Sequence, residues 1–355
     1  VDAIVRGWAG FAVLVCAMAG GVALAGGFQA KEDSTLARVR AAGVLACGID
    51  QEEPEYSTGD DHGSREAFDK DLCEAVALAV LGGGARVKVV EYPDDLASME
   101  ALHMGAVDMV PTLTDDFTHS AGTHLDLTRP VLWDGVGFLV PGAGPVMHSR
   151  QLSGKKICFI AETETEESVR LWFVHEHLDF DPFPFQEEGE MEAAFAAGNC
   201  DALAGDRTRL AGTQALLEEH GRLARLLPEI ISKDPLAAAV RDDDPQWMAI
   251  VAWVMEALVQ AEESGLTQAN VASMRGRTAK ADGSDTVLWF LLGRSHQVGS
   301  ELGLNDDWVA RVIGATGNYG EIYERDLGQG SALNLPRGEN RLVEHGGLMI
   351  ALPLK

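Results

Sequence analysis

The chain has 355 residues, 46% of them hydrophobic and 23% charged, with a formal net charge of −27. That length accommodates more than one core, and that composition excludes a disordered chain. The charge excludes a general binder of nucleic acid or anionic membrane, because those partners are held by clusters of Lys and Arg.

The chain opens with "VDAIVRGWAGFAVLVCAMAGGVALAGG", one Arg (Arg6) before an apolar run from Phe11 to Ala25 that ends in Ala23-x-Ala25. This is the layout of a Sec signal peptide over residues 1–25, cleaved after Ala25, and it predicts a periplasmic protein. A membrane anchor is the alternative, but Gly20, Gly21, Gly26 and Gly27 interrupt a run that is short for a span. Cys16 lies within that run. Cleavage leaves Cys47, Cys73, Cys158 and Cys200, an even set in an oxidising compartment, which predicts two disulfides. Three pairings are possible. The cysteines divide between two halves of the pattern described next, which favours Cys47 with Cys73 and Cys158 with Cys200; four buried free thiols are the alternative.

"STLARVRAAG" reads as a helix capped by Ser34 and stopped at Gly43, and "VLACGI" as the buried strand that follows. "FDKDLCEAVALAVLGGG" sets Phe68, Leu72, Val76, Ala79 and Val80 at helical spacing and ends on glycines. The strand "VKVVEY", a helix over "DDLASMEALHMG" and the strand "VDMVP" complete a βαβαβ series, which predicts a mostly parallel sheet. The alternation then restarts with "KKICFIA", "TETEESVRLWFVHEHL", "EMEAAFAAGN", "CDALAGD" and "RTRLAGTQALLEEHG", so a second α/β lobe is expected. Two extended apolar runs, "VLWDGVGFLVPG" and "ISKDPLAAAVR", are suited to carry the chain across between lobes. The helix "DPQWMAIVAWVMEALVQAEESG", with Pro245 in its first turn and Gly265 past its end, packs back on lobe 1. The expected division is residues 31–140 for lobe 1, 141–232 for lobe 2, 233–275 for the return of lobe 1 and 276–355 for a C-terminal extension. Two lobes with two crossovers predict a hinged binding protein whose ligand lies between the strand ends.

The chain resembles the periplasmic substrate-binding proteins of amino-acid ABC transporters, solute-binding protein family 3, in their general L-amino-acid branch. The likeness rests on "GVLACGI", "AFDKDLCEAVALAV", "DGVGFLVP", "GNCDALAGD", "LPEIISKDPLAAAVR" and "LGLNDDWVARVIGATGNYGEIYER", with "PEIISKDPL" and "GNYGEIYER" specific to the branch. It implies a bilobal flytrap of two α/β lobes on a two-stranded hinge, lobe 1 being discontinuous in sequence, with a C-terminal extension. It also implies a monomer that hands a small amino acid or amine to ABC permease subunits in the inner membrane, with no chemistry and no cofactor.

The resemblance places the ligand's ammonium at Asp206, for which a helix N-cap role is the alternative. The family's carboxylate site is altered here. In the loop "VPTLTDDFTHSAG", Thr114 matches the family pattern, Asp115 replaces an aromatic, Asp116 a hydroxyl residue, and His119 the Arg that forks the carboxylate. In "AETETEE" Glu162 takes a Gly position and Glu164 a Thr position, while Thr163 and Thr165 match. Like charges ~4 Å apart repel by about 4 kcal/mol at a surface-like dielectric, so a carboxylate in the family's pose is disfavoured. The alternative is that these acids face solvent. Tyr56 falls where an aromatic covers the ligand side chain, Phe68 matches a buried Phe, and Arg65, replacing an aromatic, offers a new cation. His119, if protonated, offers another.

Three functions follow. The first is an exported solute-binding component whose specificity has moved towards cationic or carboxylate-free amines. The second is a non-transporting paralogue acting as a sensory or partner-binding module. The third is an enzyme on the same scaffold, a prephenate-type dehydratase with Glu162 or Glu164 as general acid, for which the chain lacks a matching constellation. His119, His124, Asp115 and Asp116 lie close in sequence but match no metal motif.

Overall fold

The structure is a computed structural model and describes residues 34–50, 64–276 and 286–354. The signal segment and Tyr56 lie outside the described residues. Lobe 1 begins with α1 (Thr35–Ala42), β1 (Leu45–Asp50), α2 (Arg65–Leu81), β2 (Val87–Tyr92), α3 (Asp95–His103), β3 (Val110–Thr114), the short α4 (Phe117–Ser120) and β4 (Leu125–Asp134). The local signals act as expected. The Ser34 hydroxyl accepts from the Ala37 N–H at 3.2 Å, and Gly43 takes the left-handed conformation, φ 63°, that closes the helix.

Lobe 2 comprises β5 (Val136–Pro141), β6 (Lys156–Ile160), α5 (Glu164–His175), β7 (Asp181–Phe185), α6 (Glu188–Ala196), β8 (Ala202–Asp206), α7 (Arg207–Glu219) and β9 (Ala224–Leu226). Its sheet has the order β7-β6-β8-β5-β9. The chain then returns to lobe 1 through β10 (Asp234–Arg241) and α8 (Pro245–Glu263). In lobe 1, β1 pairs in parallel with β2 and reaches β3 through the Asp108 N–H to Ala46 C=O and Gly48 N–H to Met109 C=O bonds. β10 runs antiparallel between β3 and β4.

Lobe 1, whose β1-β2 and β3-β10-β4 sheets are joined by the Cys47–Met109 bridge, and the five-stranded sheet of lobe 2 therefore each combine parallel and antiparallel pairs. The reversed strand in each lobe is one that carries the chain between lobes: β10, antiparallel to β3 and β4, in lobe 1, and β5, antiparallel to β8 and β9, in lobe 2. Each sheet accepts one strand going out and one coming back, so the βαβ rule holds only for the strands joined by helices within a lobe. The crossing also falls at Gly135, ahead of the expected boundary at 140, because β5 pairs with β8 and β9 of lobe 2. Asp134 pairs with Asp234, and the Ile231 N–H donates to the Val136 C=O at 2.8 Å, so two strands cross side by side. Gly135 at φ 155° is required there: a Cβ would lie 2.6 Å from Ile230 Cγ2 and 2.9 Å from the Ser232 carbonyl.

Each lobe carries one disulfide, Cys47–Cys73 joining β1 to α2 and Cys158–Cys200 joining β6 to the start of β8. The favoured pairing is the one formed. Beyond α8 come α9 (Val271–Gly276), α10 (Thr286–Leu291), α11 (His296–Ser300), α12 (Trp308–Thr316) and α13 (Tyr319–Asp326). This extension is part of the lobe 1 core: Trp308, Tyr319 and Tyr323 are buried with α2 and α8, and Phe68 meets both tyrosine rings edge-on. Arg337 pairs with Glu262 of α8, and Arg325 with Asp71 of α2.

The last part of the extension also touches the hinge. Asn340 accepts from the Trp133 N–H at 2.7 Å and donates to the Trp133 C=O at 2.8 Å, occupying the open edge of β4 one residue before Asp134. Leu333 reaches α7 of lobe 2 beside Gly212. Asn340→Ala strands both backbone groups of Trp133, and urea denaturation is expected to show a loss of about 1–3 kcal/mol; no loss would mean that water replaces the amide.

Candidate functional site

A cavity of about 450 Å³ lies between the lobes. It is bounded by the C-terminal ends of β1, β3 and β8, by the first turns of α2, α5 and α7, and by the hinge strands. Among the described residues its wall holds nine carboxylates, Asp50, Asp94, Asp95, Asp134, Glu164, Glu188, Glu192, Asp206 and Asp234, against two guanidiniums, Arg65 and Arg209.

Asp206 ends β8 and stands at the N-cap of α7 with extended backbone, φ −62° and ψ 140°, yet its carboxylate makes no capping bond. The cap comes from Asp134 across the hinge. Its Oδ1 accepts from the Gly135 N–H at 2.8 Å and the Arg207 N–H at 3.2 Å, and its Oδ2 from the Thr208 hydroxyl at 2.5 Å. The role weighed for Asp206 is thus filled by another residue, and the Asp206 carboxylate faces the cavity. Burial, with Asp134 and Asp234 nearby, pushes its carboxyl up to about 7 against the pull of Arg209 and Arg65. Burial likewise raises Asp234, opposed by a hydrogen bond from Ser232 and reinforced by Asp134, Glu164 and Asp116.

Arg65 sits in the first turn of α2. Its Nη2 donates to the Thr112 carbonyl and hydroxyl, each at 3.1 Å, and lies 3.6 Å from Asp50. Thr112 in turn donates to the buried Asp69 at 2.7 Å. Burial works against the Arg65 charge, but Asp69, Asp50, Asp95 and Asp134 outweigh it and hold the guanidinium firmly protonated. Its Nε is buried with no hydrogen-bond partner among the described residues, as is Oδ1 of Asp50.

The residues expected at the site divide. Asp206, Thr114, Glu164, Thr165 and Arg65 line the cavity; Asp116, His119 and Glu162 do not. Asp116 caps α4, accepting from both the backbone N–H and the ring Nδ1 of His119 at 2.8 Å. Burial opposes its charge, but these bonds hold its carboxyl below the ordinary value. Thr114 donates to Asp95 at 3.1 Å. Glu162 has φ 62°, the left-handed conformation that suits the glycine of its position, and its N–H donates to Glu166 at 2.8 Å.

Sequence reading missed Arg209, Asp50, Asp134, Asp234 and Glu188. Arg209 lies three residues after Asp206 in a helix, hence on the same face, and that spacing was a usable signal. Asp134 and Asp234 each stand as an acid inside an apolar crossover run, a second signal. Asp50 and Glu188 carry none that a strand tip or an acidic helix start would not also carry.

No protein-family model matches the chain. It is similar to the general L-amino acid-binding periplasmic protein AapJ of Rhizobium johnstonii, 38% identical over 347 residues that cover 96% of this chain and 99% of that relative. The glutamate/glutamine/aspartate/asparagine-binding protein BztA of Rhodobacter capsulatus is 36% identical, covering 91% and 94%. Among solved structures, an ABC transporter periplasmic binding protein from Brucella ovis with glutathione bound superposes with a TM-score of 0.75. It is 34% identical and covers 91% of this chain and 99% of that one. Among the described residues no helix is long and apolar enough to cross a membrane.

Two outcomes follow from the site's geometry. Glu162→Gly relieves the left-handed strain at some cost in unfolded-chain entropy, and a net gain of up to about 1 kcal/mol is expected in denaturant melts. Because the Asp206 carboxyl titrates near 7 when folded and near 3.8 when unfolded, its contribution to stability is full below about pH 4 and is lost as pH rises towards 7. The melting temperature of Asp206→Asn relative to the parent is therefore expected to climb between pH 4.5 and 8. Asp326, also raised, to about 8, is common to both proteins and cancels.

Proposed function

The chain belongs to the amino-acid-binding periplasmic components of ABC transporters, and from that premise we propose that it captures a small cationic ligand, amino acid or amine, with an ammonium held at Asp206. The carrying observation is the exchange of roles at α7: Asp134 caps the helix, and Asp206 is left with a desolvated carboxylate that makes no salt bridge among the described residues. A buried charge needs a partner, and an ammonium there supplies it. The surplus of carboxylates in the cavity wall supports a ligand of net positive charge, unlike the acids and amides in the name of the Rhodobacter relative.

The protein delivers this ligand to a membrane permease as a monomeric binding component after export through the N-terminal segment, and does no chemistry of its own. The curated relatives are binding proteins of transporters, which supports that part of the reading. The altered carboxylate site is proposed with one adjustment: Glu164 faces the cavity, whereas Asp116 and His119 are turned to each other.

Calorimetric titration of the chain from Gly26 with putrescine, cadaverine, L-lysine, L-alanine and L-glutamate tests this. The cationic compounds are expected to bind and L-glutamate not. Affinity for them should rise by up to about tenfold per pH unit between pH 5.5 and 7, as Asp206 loses its proton, and flatten above. A pH-independent affinity, or full binding by Asp206→Asn, would remove the ammonium from Asp206. If none of these compounds binds, the non-transporting sensory or partner-binding module becomes the better reading.

A further inference from the structure

We propose that the ligand carries a carboxylate as well as its cationic groups, and that Arg65 of lobe 1 and Arg209 of lobe 2 hold this carboxylate between them, making the substrate class a basic α-amino acid. This rests on the ammonium reading of Asp206.

The two places where the family resemblance would put a carboxylate are closed to it. In the loop after β3, the imidazole of His119 is bonded to Asp116 and lies outside the cavity. At the start of α5, Glu164 presents a negative charge to the cavity, and the Glu166 N–H is already directed to the Thr163 hydroxyl. Among the described residues of the wall, the remaining cations are Arg65 and Arg209. They stand on the first turns of α2 and α7, on opposite sides of the cleft, and each is within electrostatic range of the other and of Asp206.

Both are held in place by protein acceptors, each through one terminal nitrogen of its guanidinium. Arg65 is anchored through Nη2 to Thr112 while its Nε has no partner among the described residues. Arg209 is anchored to Glu188 through Nη1. Two guanidiniums that line one cavity from separate lobes, each within the other's field, repel. A carboxylate between them converts that repulsion into two charge-assisted contacts, with the planar fork geometry that guanidinium offers and ammonium does not. Both arginines also act electrostatically on the Asp206 carboxyl, so the anion and ammonium positions share one part of the cleft, as an α-amino acid requires. Two arginines do not balance the nine wall carboxylates, so a cationic side chain completes the charge match.

The test compares amino acids with their decarboxylated counterparts on the chain from Gly26: L-lysine with cadaverine, L-ornithine with putrescine, L-arginine with agmatine. At least one amino acid is expected to bind tenfold or more tightly than its amine. In Arg65→Gln that amino acid should weaken at least tenfold while the amine holds or tightens, since a repelling charge has been removed. Arg209→Gln, on the other lobe, should give the same pattern and serves if Arg65→Gln fails to fold. Equal binding of acid and amine by the parent, or equal weakening of both in either variant, would overturn the carboxylate site and leave the ammonium at Asp206 standing. Binding of neither class by the parent would overturn both.

Discussion

The site depends on one carboxylate whose hydrogen bonds are spent within the protein. Asp134, the last residue of β4, supplies the N-terminal cap of α7 from across the hinge, accepting from the Gly135 and Arg207 N–H groups and the Thr208 hydroxyl. A helix N-terminus leaves N–H groups unsatisfied, and the residue standing at the cap position usually answers for them. Here the distant Asp134 does so, and the Asp206 carboxylate is left lining the cavity. The same contact ties a lobe 1 strand to a lobe 2 helix where the chain crosses, so the hinge and the site are set by one cluster of bonds.

The extension beyond α8 makes sense in that setting. β4 has an open edge next to the crossing, and an unpaired backbone N–H and C=O there would weaken the strand on which Asp134 is mounted. Asn340 closes that edge, and it is itself placed by Arg337, whose Nη2 donates to the Asn340 carbonyl at 2.7 Å while its fork engages Glu262 of α8. The tail is thus a buttress of the hinge, continuous with the lobe 1 core.

Electrostatics gives the cleft its character. In the sequence, acids replace neutral or cationic positions on both sides of the expected carboxylate site, and simple Coulomb repulsion argues against an anion there. The structure divides those substitutions. Asp116 is hydrogen-bonded to His119, Glu162 is not part of the wall, and Glu164 stays in it. The wall also draws in Asp50, Asp134 and Asp234, which deepen the negative field, and Arg209 of lobe 2 in addition to Arg65 of lobe 1. Among the described residues the wall that results is strongly acidic, with Arg65 and Arg209 as its cations.

The two lobes, the order of helices and strands, the capping residues and the branch of the family were legible in the sequence. These rest on short-range signals, such as the apolar spacing of "FDKDLCEAVALAV", Ser34 and Pro245 at helix starts and Gly43 at a helix end, and on stretches such as "PEIISKDPL". The cysteine pairing was legible too, because each pair closes within one lobe. Which carboxylate caps α7, where the His119 ring turns, and that Arg65 and Arg209 line one cavity were decided only by tertiary structure. The Asp134 to Thr208 bond joins residues 74 apart in sequence. A side chain's partner at that distance is set by how two lobes pack, and neither periodicity nor propensity, which act over one or two turns, contains that information.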